Sequence, residues 1–169
     1  MSDFWKNVFA GVVATIIGGI LLTFLLFAFD EWVRPKPNIT GEWVIETYTT
    51  QSNYLPFKYV KEEFKLDLLQ KGNEILGSGE KVKETDLDGK VIVFNPERRV
   101  RLDVAGYMER NYIKTTKVNF NIIEHGERAP STNTFFLTVD NSDNLTGSFI
   151  STVSNTKGTV HCHRNDEKP

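Results

Sequence analysis

Arginine and tyrosine residues are concentrated in one short stretch of the sequence. Guanidinium groups bind phosphate oxygens through paired hydrogen bonds, and aromatic rings stack on nucleobases. Because Arg99, Arg101 and Tyr107 fall on one face of an extended strand, the pattern indicates a surface suited to a phosphorylated ligand that carries a base. The alternative interpretation is a solvated outer strand face. The stretch contains Arg98, Arg99, Arg101, Tyr107, Arg110 and Tyr112.

A second aromatic and basic group lies in the long connection after the first predicted strand. Here Tyr54, Phe57 and Tyr59 surround Pro56 and Lys58. In a small barrel such a connection folds over one mouth. It either plugs that end or, together with the arginine-rich stretch, forms a small pocket for an anionic ligand. The predicted ligand-binding residues are Tyr54, Lys58, Arg99, Arg101, Tyr107, Arg110 and Tyr112.

No group of residues in the sequence matches a catalytic or metal site. Residues 72–77 have the glycine spacing of a phosphate loop, but Ser78 stands where the lysine should be. His161 and His163 share one face of a predicted strand and could hold a metal between them, yet zinc requires three or four ligands and His125 is the third and last histidine. We predict a surface histidine pair, no metal, no cofactor and no enzymatic activity.

The composition is that of a folded protein with two unlike parts. Of 169 residues, 40% are hydrophobic and 25% charged, and the net charge is −2, which argues against a surface built to bind DNA or RNA. The mean hydropathy of −0.31 averages an almost continuous apolar segment and an alternating remainder. The single cysteine, Cys162, excludes an internal disulfide and is compatible with a reducing compartment.

The apolar segment predicts one transmembrane helix. No charged residue occurs from Asn7 to Phe29, and at about 1.5 Å per residue this length spans a hydrocarbon core of roughly 30 Å. A cleaved signal peptide is the alternative, but its apolar region would be shorter and no small-residue cleavage site follows. The predicted parts are residues 1–33 as helix with flanks, 34–38 as a proline-bearing linker, 39–166 as a barrel and 167–169 as a tail.

Small residues recur along one side of this helix. Gly11, Thr15, Gly19 and Thr23 are spaced by four, so they form one ridge along which helices can approach closely in lipid. Glycine and threonine are also simply common in membrane helices. We predict that the ridge mediates self-association.

Beyond Asn38 the hydrophobic period changes to two. Runs such as Phe64-Lys-Leu-Asp-Leu68 and Val118-Asn-Phe-Asn-Ile122 alternate apolar and polar residues, and short turn signals separate them. Eight or nine evenly spaced strands favour an all-β, up-and-down antiparallel barrel of about eight strands, since closure removes exposed edges. A sandwich is the alternative. Such a barrel is either filled by side chains or holds one small ligand.

Several short motifs occur together along the chain, after one N-terminal membrane segment and a proline-bearing link. They are Ile39-Thr-Gly-Glu-Trp43, Tyr54-Leu-Pro-Phe57, Gly77-Ser-Gly-Glu-Lys81, Gly106-Tyr-Met-Glu-Arg-Asn-Tyr112, Thr146-Gly-Ser-Phe149 and Gly158-Thr-Val160. In this combination, which extends over nearly the whole chain, the sequence resembles the transmembrane β-barrel effectors of bacterial CBASS antiphage systems.

The resemblance implies a membrane-anchored effector of antiviral defence. Its barrel would bind a cyclic dinucleotide made by a partner nucleotidyltransferase, and its membrane helix would then oligomerise and disrupt the inner membrane, leading to cell death or growth arrest. Family members often carry two membrane helices, whereas this chain has one. Similar barrels in related systems are held silent by the nucleotide. The resemblance therefore leaves two alternatives, activation of the effector by the nucleotide and restraint by it. The implied location is the bacterial inner membrane, with a cytoplasmic barrel.

Other functions are compatible with the same sequence. A membrane-anchored, lipocalin-like carrier of a small apolar ligand in the periplasm would need an interior with few polar groups. A purely structural interaction module is the third hypothesis.

Overall fold

The computed structural model describes residues 3–33, 37–110, 115–126 and 130–165. The chain divides into two compact units, Met1–Lys36 and Pro37–Pro169. Most of the predicted linker and all of the predicted tail lie outside the described residues, as does Tyr112.

The first unit contains one helix, α1 (Asp3–Val33). Large apolar side chains are exposed along it from Phe4 to Phe29. The segment Asp3–Phe29 has a mean hydropathy of 2.6, and its described side chains are not buried. A helix that is apolar on all sides satisfies its backbone internally and suits a lipid environment, so α1 could span a membrane.

The second unit is a closed antiparallel barrel. With one exception, strands adjacent in sequence pair with each other, and the last strand pairs with the first. The exception is the short strand β4 (Val91–Val93), which pairs with β3 (Glu74–Thr85) alone, so the other eight strands form the ring, which confirms the predicted fold class. The strands are β1 (Gly41–Gln51), β2 (Lys61–Lys71), β3 (Glu74–Thr85), β4 (Val91–Val93), β5 (Val100–Glu109), β6 (Lys117–Glu124), β7 (Ser131–Asn141), β8 (Asn144–Ser151) and β9 (Lys157–Arg164).

Alternate side chains of these strands point inward and fill most of the barrel. The rings of Phe120, Phe135 and Phe149 stack in series, with centroids 5.2 and 5.8 Å apart. The surrounding aliphatic residues are almost completely buried. The barrel interior is therefore a packed core over most of its length, as expected for eight strands.

Glycine is required where neighbouring strands approach most closely. A Cβ atom placed on Gly147 would lie 2.0 Å from the carbonyl oxygen of Phe136 on the adjacent strand. The same atom on Gly106 would lie 2.3 Å from the carbonyl oxygen of Asn119. The predicted mid-strand glycines thus permit the tight coiling of a small barrel.

The two ends of the barrel differ. We call the end where β1 begins and β9 finishes the lower end, and the opposite end, which carries the connections 52–60, 86–99 and 152–156, the upper end. At the lower end the indole Nε1 of Trp43 donates to the carbonyl of Ile39 at 2.8 Å, and the guanidinium of Arg164 lies 4.9 Å from the indole centroid. Arg164 also donates to the carbonyl of Thr40 at 2.9 Å and pairs with Asp143 at 3.0 Å. The lower end is therefore closed.

Candidate functional site

Charged side chains occupy the upper end of the barrel interior. Lys81 on β3 is only 7% exposed, and its ammonium contacts the carboxylates of Glu62 and Glu84, the latter at 2.6 Å. On the opposite wall the amide of Asn133 donates to Glu124. These five residues line a cavity of about 180 Å³, which we call the upper recess. Buried charges are costly unless they are paired, so this cluster points to a role beyond packing.

The recess perturbs the ionisation of two of these groups. Burial alone would lower the pKa of Lys81, but the attraction of Glu62 and Glu84 outweighs it, so the pKa of the ammonium is raised above its ordinary value. Burial, followed by repulsion from Glu62, raises the pKa of Glu124 to about 7, although Lys81 and Asn133 oppose this. Lys81 therefore remains charged, whereas Glu124 changes its charge near neutral pH.

A larger cavity lies on the outer face of the barrel. This outer groove has a volume of about 630 Å³ and crosses β9, β1, β2, β3 and β4 near the upper end. Its lining includes the residues Tyr48, Lys61, Glu63, Lys83 and His161.

Aromatic rings and ammonium groups meet beside the outer groove. The rings of Tyr48 and Tyr59 are stacked, with centroids 6.3 Å apart and an interplanar angle of 22°. Lys61 lies 5.8 Å from the Tyr48 centroid, and Lys58 lies 4.9 Å from that of Tyr59. Lys83 pairs with Glu63 at 3.4 Å, and both are at least partly exposed. The groove thus combines stacking surfaces with cations that solvent can reach.

The structure places four of the predicted ligand-binding residues at the upper end. Tyr54 and Lys58 lie in the β1–β2 connection, where the Tyr54 ring packs against Phe57 with centroids 5.3 Å apart. Arg99 pairs with Glu80 at 2.9 Å. The Arg101 side chain is 77% exposed and lies 3.6 Å from Asp103. These four residues share one end of the barrel, but none of them lines the outer groove. Lys58 contacts the ring of Tyr59, which stacks on Tyr48 in the groove wall.

Tyr107 and Arg110 lie at the other end of β5. Tyr107 pairs in register with Glu74, the first residue of β3 at the lower end. It is six residues from Arg101, which corresponds to about 20 Å along a strand. Tyr112 lies outside the described residues. The structure therefore does not bring the predicted residues into one pocket, and their assignment to a ligand stays a prediction.

Sequence reasoning does not identify the residues of the upper recess, because it follows the inward-facing positions of each strand only as far as these positions are apolar. On β6 the inward series Val118, Phe120 and Ile122 continues two residues later to Glu124. On β2 the inward series of leucines and Phe64 continues to Glu62. A charged residue that keeps the period of an inward series was the available signal.

The histidines and the cysteine of β9 lie on opposite faces. The rings of His161 and His163 are 5.8 Å apart on the outer face, and in the described parts of the chain no three His, Cys, Asp or Glu residues group to hold a metal. Cys162 is fully buried, and burial raises the pKa of its thiol. Cys162 is thus a core residue rather than a reactive thiol.

The small-residue ridge of α1 is open and internally satisfied. The hydroxyls of Thr15 and Thr23 donate to the carbonyls of Gly11 and Gly19 at 2.9 and 2.8 Å. A Cβ atom added at Gly11 or Gly19 would meet nothing within 4 Å. Larger side chains would therefore not disturb the isolated helix, so their effect would report on contacts between chains.

Comparison with known proteins supports the fold. No family model matches the chain. No curated protein matches it either. Among solved structures it is similar to a de novo designed fluorescence-activating β-barrel, with a TM-score of 0.51, 12% identity, and coverage of 75% of this chain and 94% of that one. It is also similar to a redesigned β-barrel, with a TM-score of 0.50, 11% identity, and coverage of 76% and 92%. At these identities the likeness concerns the fold alone.

Proposed function

We propose that this protein is a membrane-anchored sensor whose barrel binds a cyclic dinucleotide in the outer groove. Binding would control the self-association of α1 in the bacterial inner membrane and thereby membrane disruption in antiviral defence, with the barrel on the cytoplasmic side. The single observation that carries the proposal is the groove itself, a space of about 630 Å³ lined by Tyr48, Lys61 and Lys83, with the Tyr59 ring stacked on that of Tyr48.

The size of the cavities favours the groove over the interior. Pockets for drug-sized ligands and cofactors measure roughly 300 to 1,000 Å³. The outer groove, at about 630 Å³, lies within that range, and the upper recess, at about 180 Å³, lies below it. The outer groove therefore has the size of a ligand pocket, whereas the upper recess is too small for an entire dinucleotide.

The chemistry of the groove suits bases joined by phosphates. Tyr48 offers a ring on which a nucleobase can stack in place of, or beside, Tyr59. Lys58, Lys61 and Lys83 can approach phosphate oxygens as mobile point charges. Because Glu63 partly neutralises Lys83, phosphate binding there would exchange one anionic partner for another.

The ridge of α1 supplies the proposed output. In lipid, helices associate through close packing of small residues, and Gly11, Thr15, Gly19 and Thr23 provide such a surface without a hydroxyl that needs an external partner. A nucleotide can shift the balance between separate and associated chains only by its differential affinity for the two states.

The carrier hypothesis is not favoured by the interior. An apolar ligand would need an apolar cavity, but core side chains fill the described barrel and the upper recess is lined by Lys81 and carboxylates. We therefore retain the sensor as the proposed function.

Binding is tested with the full chain in lipid nanodiscs, titrated calorimetrically with cyclic di-AMP, cyclic di-GMP and the mixed cyclic GMP–AMP. We expect Tyr48→Ala to weaken binding about fivefold or more, because a base stack contributes about 1–3 kcal/mol. Phe136→Ala, which removes an exposed aromatic ring on β7 outside the groove lining, is the control and should bind as the unmodified chain does. No binding by any of the three nucleotides, or loss only in Phe136→Ala, would reject the groove.

The output is tested by expressing the chain together with a source of the nucleotide that binds. We expect Gly19→Leu to abolish toxicity while leaving nucleotide affinity intact, since a Cβ atom added at Gly19 meets nothing within 4 Å. Ile17→Phe adds bulk on the opposite side of α1 and should remain toxic. Unchanged toxicity of Gly19→Leu would remove the ridge from the mechanism.

A further inference from the structure

The upper recess contains more hydrogen-bond acceptors than donors. Each ionised carboxylate can accept about four hydrogen bonds, and three carboxylates converge there. The Lys81 ammonium is engaged by Glu62 and Glu84. The amide nitrogen of Asn133 is directed at Oε1 of Glu124, and among the described residues no donor reaches the other carboxylate oxygen, Oε2. An occupant of the recess would therefore have to supply N–H or O–H groups.

A buried hydroxyl supports the same conclusion independently. Thr49 faces the recess from β1 and is only 3% exposed. Within the part of the chain that the structure describes, its side-chain oxygen has no hydrogen-bond partner. An unpaired buried hydroxyl is unfavourable, so we expect a partner from outside the chain, water or a ligand, to occupy this space.

The shape of the recess limits what that partner can be. Its volume of about 180 Å³ equals roughly six water molecules at the density of the liquid. Phe57 and Phe149 form part of its walls, and aromatic faces suit a flat group whose edges are polar. A single planar group fits, whereas a complete nucleotide does not.

We propose that the upper recess is a second binding site, which takes a compact planar group with a fork of N–H donors and binds it through the carboxylate of Glu124 and the hydroxyl of Thr49. A guanidinium cation and the donor edge of a guanine base share this chemistry. The proposal is independent of the outer groove and of the cyclic dinucleotide. It assigns a ligand to the buried charge cluster. The packed core below that cluster is apolar and needs no ligand.

Such binding is coupled to a proton. Glu124 faces Glu62, Lys81, Glu84 and Asn133, and its pKa of about 7 leaves it partly protonated at neutral pH. A donor fork binds the ionised carboxylate, so binding would expel the proton that Glu124 still holds. Affinity should therefore rise as the pH rises from 6 to 8, and the fraction of a proton released should fall over the same interval.

The experiment is calorimetric titration of the full chain in nanodiscs with methylguanidinium chloride and, separately, with guanosine, in two buffers of different ionisation enthalpy. We expect saturable binding of at least one probe with proton release at pH 6.5. Binding of methylguanidinium alone identifies a cation site, and binding of guanosine alone identifies a base site. Absence of binding by both probes would overturn the proposal.

Variants separate the recess from other surfaces. Glu124→Gln should lower affinity at pH 8 at least tenfold and abolish proton release, and Thr49→Val, which removes only the hydroxyl, should lower it several-fold. Glu74→Gln, an exposed carboxylate at the lower end, is the control and should change neither quantity. Full binding by Glu124→Gln and Thr49→Val would contradict the proposal. Two further outcomes separate this site from the proposed function. If cyclic di-AMP binds in a Tyr48-dependent way but neither probe binds, this site is rejected and the proposed function stands. If a probe binds but cyclic di-AMP does not, only the groove is rejected.

Discussion

The lower and upper ends of the barrel are built on the same strands with opposite chemistry. At the lower end Trp43 is buried with its N–H satisfied and Arg164 covers its ring. At the upper end the same inward positions carry Thr49, Lys81 and Glu124. This contrast indicates that the packed lower end accounts for the stability of the fold, whereas the upper end tolerates unfavourable burial, which is typical of binding sites.

Removal of the Trp43 side chain at the lower end should have the largest effect on stability. Trp43→Ala deletes a fully buried indole together with its contact to Arg164. We expect the free energy of unfolding to fall by about 3–5 kcal/mol, measured by urea titration followed by circular dichroism. Thr49→Val at the upper end should cost less than about 0.5 kcal/mol in the same assay, because it removes an unpaired hydroxyl. Equal losses in the two variants would contradict the division between the ends.

Loss of the buried Lys81 ammonium should have the second-largest effect on stability. Lys81→Met leaves Glu62 and Glu84 close together without a cation. Because both carboxylates keep some contact with solvent, we expect a loss of about 2–3 kcal/mol at pH 8 rather than the larger values found for fully enclosed pairs. Adding Glu62→Gln and Glu84→Gln to this variant should recover most of the lost free energy of unfolding. Failure of the triple variant to recover would mean that Lys81 stabilises the barrel mainly through its apolar stem.

Glu124 should make stability depend on pH. Its pKa is about 7 in the folded state against an ordinary value of 4.5, so between these values the folded state holds a proton that the unfolded state has lost. The contribution is therefore complete below pH 4.5 and is lost as the pH rises through 7. We expect Glu124→Gln to stabilise the barrel by about 1–2 kcal/mol at pH 8 and hardly at all at pH 4.5. A constant difference at both pH values would contradict the buried carboxyl.

The smallest effect should follow removal of an exposed charge at the upper rim. The side chain of Arg101 is 77% exposed and only 3.6 Å from Asp103, so Arg101→Gln should change the free energy of unfolding by less than about 0.5 kcal/mol. Nucleotide titration of the same variant tests its predicted role in binding. A marked loss of affinity would support Arg101 as a ligand-binding residue at the rim, and unchanged affinity would restrict binding to the groove.

The sequence predicts the fold far better than the site. Alternating runs such as Phe64 to Leu68, together with turn residues, were sufficient for the number of strands and their closure, because register follows from which face is buried. The short strand β4 had no such alternation, since Val91, Ile92 and Val93 are all exposed.

The site was harder to predict because proximity in sequence is not proximity on a barrel. Arg101 and Tyr107 share a strand and a face, yet they lie near opposite ends. Tyr48 and Tyr59 are separated by a long connection, and Tyr59 adopts a positive φ of 65° beside the strand that it covers. Only the folded connection brings these two rings together beside the groove.

The proposed function requires that nucleotide binding by the barrel controls the association of α1. The most direct test labels two populations of the full chain with donor and acceptor fluorophores, reconstitutes them together in lipid vesicles, and measures energy transfer as the binding nucleotide is added. We expect transfer to change with the same saturation midpoint as calorimetric binding, and to stay at the level of separate chains in Gly19→Leu at every concentration. Transfer that stays constant through saturation, while binding is complete, would contradict the account.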